Sequence, residues 1–178
     1  MRKVILSFGM TLDGYIARPD HRVDFLPVDK EASKIMADFF RTIDAAIMGR
    51  KTAEISMKMY GGKFPAQGLS TYVFSRSWTP GEREGFEVVK GTPGRLIRRL
   101  REQKGKNIFL MGGGELGRSF LKADLVDELF IGVVPLLLGK GIPGFPAGFP
   151  QRDFSLVECK TYSKGLIVLK YQRMRSVT

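Results

Sequence analysis

The run Asn107-Ile108-Phe109-Leu110-Met111, followed at once by Gly112-Gly113-Gly114, constrains the fold of this chain more than any other stretch. An apolar run without polar alternation belongs to a parallel strand buried on both faces. The segments before it keep to the same plan. Residues 3–9 read as a first strand, and Asp29 is placed to cap a helix through about Thr42, in which Ile35, Met36, Phe39, Phe40 and Ile43 recur at helical spacing. Residues 45–48 form a short buried strand, 52–59 a weaker helix and 72–74 another strand, interrupted at Trp78-Thr79-Pro80-Gly81. Gly61, Gly62, Pro65 and Gly68 mark a loop. Pro93 opens a basic helix, where a first-turn proline gives up an amide that has no helical partner. A helix through about Leu121 follows the three glycines, and strand alternating with helix argues an α/β fold.

Beyond Leu125 the pattern changes. Residues 128–134 read as a strand, and 135–150 are rich in glycine and proline with no regular period. Two alternating runs, 154–162 and 166–173, are joined at Ser163-Lys164-Gly165, a hairpin signal. The sheet is therefore expected to end in antiparallel strands. With no internal repeat, low-complexity tail or linker, residues 1–178 are expected to form a single domain.

Of the 178 residues, 29 are basic and 18 acidic, a formal net charge of +11 that favours anionic partners such as nucleic acid, phosphorylated metabolites or a dinucleotide. Much of the excess lies at 95–104, where Leu96, Ile97 and Leu100 form one apolar stripe, so these charges read as the solvated face of a packed helix. No apolar run approaches the roughly 20 residues of a membrane helix, and the basic start Met1-Arg2-Lys3 leads into a strand, not a signal peptide. The lone cysteine, Cys159, fits a strand position and a reducing cytoplasm. One cysteine and one histidine, His21, cannot build a His/Cys zinc site, and no metal is expected.

Four segments carry candidate chemistry. Gly49-Arg50-Lys51-Thr52 stands between a strand and a helix start, where backbone amides and the helix dipole receive phosphate and Arg50 adds a charged fork. Ser75-Arg76 leaves the next strand with a hydroxyl and a guanidinium suited to a ribose phosphate, the group that separates NADP from NAD. Gly112, Gly113 and Gly114 remove every Cβ beside a pyrophosphate, and Glu115 follows just inside the helix, where the helix dipole also favours an acid. They are not the Gly-x-Gly-x-x-Gly fingerprint of a Rossmann domain. In Asp13-Gly14-Tyr15 the carboxylate could hold a substrate amino or hydroxyl group and Tyr15 could stack on a ring, while a turn explains the same letters.

Taken in order, Ser7-Phe8-Gly9-Met10-Thr11-Leu12-Asp13-Gly14-Tyr15-Ile16-Ala17, Gly49 to Thr52, Ser75-Arg76, Gly112 to Leu116, Leu125-Val126-Asp127-Glu128-Leu129 and Pro135-Leu136-Leu137-Leu138-Gly139-Lys140-Gly141 with Phe145 resemble the RibD C-terminal reductase family within the dihydrofolate reductase-like fold. The resemblance implies a three-layer sandwich: a mostly parallel central sheet, helices on both faces and a C-terminal antiparallel hairpin. It implies NADPH, with Gly49, Arg50 and Thr52 toward the pyrophosphate, Ser75 and Arg76 toward the 2′-phosphate, and Gly112 to Glu115 on the pyrophosphate again. Asp13 would face the nicotinamide end. The family's riboflavin branch reduces the ribosyl group of a phosphorylated aminopyrimidine, so two anionic ligands would share a basic cleft. Bifunctional riboflavin enzymes also carry a zinc deaminase domain with a His-x-Glu and Cys-x-x-Cys signature, which one His and one Cys cannot supply, so the resemblance is to the reductase half.

These observations lead to an NADPH-dependent reductase with Asp13 and Tyr15 as catalytic candidates, acting on a pyrimidine- or pteridine-type ring. The alternative is a dihydrofolate or pterin reductase. Those enzymes place an acid in the first helix, and here the matching stretch falls near Ser33, with Glu31 and Asp38 nearby. A basic nucleic-acid-binding domain is the non-enzymatic alternative, without an aromatic-basic signature to support it. Related reductase domains pair through their sheets, and a homodimer is expected.

Overall fold

In the structure, a computed structural model, residues 1–59, 68–83 and 85–175 are described; Gly61, Gly62 and Pro65 of the expected loop lie outside them. The chain runs β1 (Val4–Thr11), β2 (Tyr15–Ala17), α1 (Lys30–Phe40), β3 (Ile43–Gly49), α2 (Arg50–Met59), β4 (Ser70–Phe74), β5 (Gly81–Arg83), β6 (Phe86–Val89), α3 (Pro93–Arg101), β7 (Asn107–Met111), α4 (Gly114–Lys122), β8 (Glu128–Val134), β9 (Ile142–Pro143), β10 (Phe154–Thr161) and β11 (Ile167–Arg173). Nine strands form one sheet in the order β10-β11-β8-β1-β7-β3-β4-β6-β5. Pairing is parallel from β8 to β6 and antiparallel at both ends. β7, the unbroken apolar run, lies between β1 and β3, and its Ile108, Phe109 and Leu110 are buried. An interior parallel strand has no wet face, so alternation has no use there.

Helices cover both faces. On one, Leu96, Ile97 and Leu100 of α3 and Phe120 and Leu121 of α4 pack on Val4, Leu6, Ile108 and Leu110. On the other, Phe39 of α1 and Ala53 of α2 pack on Ile5, Met48 and Phe109. The basic helix thus buries its apolar stripe, while Arg99 pairs with Glu87 at 2.9 Å and Arg101 with Asp127 at 2.6 Å. Asp29 caps α1 by accepting from the Ala32 amide at 3.0 Å. That helix ends at Phe40, two residues before the expected Thr42, because β3 already begins at Ile43.

Four short strands, β2, β5, β6 and β9, were not legible in the sequence. β6 pairs in parallel with β4, and β5 folds back on it, so the break at Trp78–Gly81 is a turn inside the sheet and not its border. β2 pairs with β9, a two-residue strand within the irregular stretch 135–150. The C-terminal hairpin forms as expected, but β11 inserts beside β8, leaving β10 as the edge with Cys159 exposed on it.

Candidate active site

Ser7 and Gly9 of β1, Gly49 at the end of β3, Phe74 at the end of β4 and Met111 at the end of β7 all line one cavity of about 1430 Å³. The carboxyl edge of an open parallel sheet is where its loops leave room for a ligand. Two helix starts enter the cavity. α2 begins at Arg50 directly after β3, and α4 begins at Gly114 with no side-chain cap, so both turn a positive dipole end toward the cavity. The two turns converge: a Cβ on Gly112 would stand 3.7 Å from the Thr52 hydroxyl. Gly112 and Gly114 take φ of +79° and +60°, angles that glycine adopts without a Cβ penalty.

Gly49, Arg50, Thr52, Ser75, Arg76, Gly112, Gly113, Gly114 and Glu115 all line this cavity. Ser75 is buried, and its hydroxyl accepts from the amides of Ser77 at 3.2 Å and Trp78 at 2.9 Å, closing a turn that presents Arg76. Among the described residues the Arg76 guanidinium has no hydrogen-bond, ion-pair or ring partner. Arg50, by contrast, shares its charge with Glu54 at 2.6 Å, and Glu115 pairs with Arg118 one turn along α4. Lys51 of the same candidate segment also lines the cavity, and Lys90 and Arg118 add cations from outside the four segments. Lys90 follows β6, one of the strands not legible in the sequence, and Arg118 shows only as an i+3 partner of Glu115. This end suits a dinucleotide: two helix starts for a pyrophosphate, glycines that admit close approach and an unpaired guanidinium for a further phosphate.

Asp13 and Tyr15, the two catalytic candidates, are not among the residues that line the cavity. The Asp13 carboxylate accepts from the Thr11 hydroxyl at 2.5 Å and from the amides of Leu138 at 3.0 Å and Gly139 at 2.7 Å. Those bonds, Thr11 first, hold its carboxyl below the ordinary carboxylate value. The two amide bonds clasp this side chain to the 135–139 loop. It bears on the cavity indirectly: the Gly144 amide donates to Gly14 at 2.9 Å, and the Gly144 carbonyl accepts from the Gly114 amide at 3.1 Å. The Asp13-Gly14 turn thereby sets the loop against which α4 starts. Tyr15 is in β2, paired with Pro143.

The other end of the cavity lies between α1 and the sheet. Ala32, Ile35, Met36 and Phe40 line it from the helix, and Ser7, Gly9, Phe130, Gly132 and Val168 from the strands. The acids of α1 face elsewhere: the Ser163 amide donates to Glu31 at 2.8 Å, and Asp38 pairs with Arg41 at 2.7 Å. Neither lines the cavity, so the acid of a pterin reductase has no counterpart on this helix.

The sheet order and the two-ended cavity at its carboxyl edge define the RibD-like reductase fold. Residues 2–168 match the RibD C-terminal domain, and the chain belongs to that family. Over 145 residues it is 37% identical to the uncharacterized protein YwjB of Bacillus subtilis (strain 168), covering 81% of this chain and 83% of that one. It resembles the crystal structure of a Shewanella sp. PV-4 protein assigned by name to riboflavin biosynthesis, with a TM-score of 0.84 and 27% identity over 97% of this chain and 99% of that one. A Thermotoga maritima diaminohydroxyphosphoribosylaminopyrimidine deaminase/5-amino-6-(5-phosphoribosylamino)uracil reductase shares the fold at 18% identity and a TM-score of 0.72, over 97% of this chain and 57% of that one.

Proposed function

We propose that this chain is an NADPH-dependent reductase that reduces a C=N or C=O carbon of a heterocyclic substrate, a pyrimidine- or pteridine-type ring being the class the family suggests. The observation that carries the reading is Arg76, a guanidinium without a partner among the described residues, just past the end of β4 on the same cavity as two helix starts and the 112–114 glycines. NADPH, when bound, supplies the hydride. The protein's part is position: Gly49, Arg50 and Thr52 with Gly112 to Glu115 hold the pyrophosphate, Ser75 and Arg76 the 2′-phosphate, and the α1 end receives the substrate with reacting atoms about 3–3.5 Å apart. The apolar cavity face of α1 disfavours the dihydrofolate or pterin alternative. Partners of Arg99 and Arg101 within the fold take charge away from a nucleic-acid surface.

Calorimetry or quenching of Trp78 fluorescence tests the cofactor. A charge-assisted phosphate contact contributes about 1.5–3 kcal/mol, roughly 10- to 150-fold in affinity. Arg76→Ala is expected to weaken NADPH by that factor and leave NADH almost unchanged, and Arg76→Lys to recover part of the loss, lacking the guanidinium fork. Wild-type protein that binds NADH as tightly as NADPH overturns the assignment.

A further inference from the structure

The two ends of the cavity differ in chemistry. Among the described residues, every ionisable side chain that lines it belongs to α2, α4 or the ends of β4 and β6, except His21, whose ring stands 3.5 Å from the Lys51 ammonium and so sits at the α2 end too. The α1 end has none. Its roof is Ile35, Met36 and Phe40, and Gly132, a cavity residue of β8 paired with Gly9 of β1, leaves bare backbone on its floor. A Cβ on Gly132 would meet only Leu166 at 3.7 Å and Gly9 at 3.8 Å, so the space above it is open.

Two serines interrupt this apolar slot. Ser7 is 6% exposed and Ser56 is 9% exposed. Met111 links them: it pairs with Ser7 across β1 and β7, and its sulfur is the 3.9 Å partner of the Ser56 hydroxyl. Thioether sulfur is a weak acceptor. Among the described residues the Ser7 hydroxyl has no hydrogen-bond partner, and since no buried side-chain oxygen is left unpartnered it opens onto the cavity. A hydroxyl that faces a cavity is satisfied by what occupies it, and both serines adjoin the same slot.

Resting on the reductase reading, we infer that the substrate is an uncharged planar ring with a polar edge directed to Ser7 and Ser56, and that it carries no phosphoribosyl group at this end. A phosphate there would lose its water without gaining a cation, a cost that charged groups do not bear unpaired. The cations that line the cavity, Arg50, Lys51, Arg76, Lys90 and Arg118, then serve the cofactor and not the substrate.

The test uses three probes: menadione, which is flat and uncharged, and one aminopyrimidine nucleoside with and without its 5′-phosphate. Each is titrated by calorimetry with and without saturating NADPH, so a chain that ignores NADPH overturns the cofactor assignment while the phosphate comparison still reads out. Menadione is expected to bind, and the 5′-phosphate to change nucleoside affinity by less than about threefold, against the roughly 10-fold or more of a charge-assisted contact. Gly132→Val, which fills the slot, is expected to weaken menadione by about tenfold or more with NADPH affinity unchanged. Ser56→Ala, a milder change, is expected to do so by about three- to tenfold, the scale of one neutral hydrogen bond. Menadione that fails to bind, a phosphate that raises affinity more than about tenfold, or variants that weaken NADPH and menadione alike overturn the inference.

Discussion

Asp13 shows how one carboxylate reaches a site it does not touch. Its three acceptor bonds fix Leu138 and Gly139, and the chain from Gly14 through Gly144 to Gly114 carries that order to the start of α4. Asp13→Asn keeps the shape but sets an NH2 group against an amide donor. Turnover is expected to fall by roughly 10²-fold through misplacement, with NADPH affinity falling alongside it. A direct proton donor would spare the cofactor, so measuring both constants separates the two roles. The carboxyl is held below its ordinary value of 3.8 in the folded chain, by the Thr11 hydroxyl first. Its contribution is therefore present in full above that value and is lost as pH falls through the lower folded one. Amide hydrogen exchange at Leu138 and Gly139 is expected to lose protection progressively as pH falls below 3.8, and in Asp13→Asn to show none of that dependence.

At the scale of elements, the start of α4 depends on contact with the 141–145 loop. A Cβ on Gly113 would collide with the carbonyl of Gly144, which is backbone and cannot swing aside, whereas one on Gly114 meets nothing within 4 Å. Gly113→Ala is expected to displace the helix start and abolish measurable NADPH binding. Gly114→Ala is expected to cost about 1–2 kcal/mol through its left-handed backbone and to keep binding. Differential scanning calorimetry with and without NADPH checks both. α3 serves packing: Ile97 is 1% exposed at the centre of its stripe. Ile97→Ala is expected to destabilise the fold by about 2–5 kcal/mol in urea titration, with cofactor affinity per folded molecule unchanged.

For the whole molecule, the open side of the sheet is β10. Leu156 and Val157 are 56% and 54% exposed beside an irregularity in the β10–β11 register, and the strand has no neighbour on its outer edge. Long edges with apolar side chains are normally covered. A second copy of this chain is the proposed cover, making a homodimer. Light scattering is expected to give about twice the chain mass, and Leu156→Lys about once. Behind this edge, Asp124 and Asp127 bind Arg173 and Arg175 at 2.9 Å each, tying the end of β11 to the α4–β8 turn and giving the edge a firm base.

The sequence by itself determined the alternation of strand and helix, the central place of β7, the Asp29 cap, the C-terminal hairpin and the glycine-rich and basic segments that line the cavity. Each rests on near neighbours in the chain: a period, a cap, a glycine turn. What only the tertiary structure decided depends on residues far apart. β6 and β9 are too short to show a period and exist because β4 and β2 offer them partners. Asp13 reads alone either as a substrate-facing carboxylate or as a turn residue, and its bonds to amides some 125 positions away appear only in the fold. The apolar substrate slot takes its walls from α1, β1, β8 and β11, and no window of sequence contains them together. Local propensity is written residue by residue, but a cavity is the space between elements, and only their packing fixes which side chains face it.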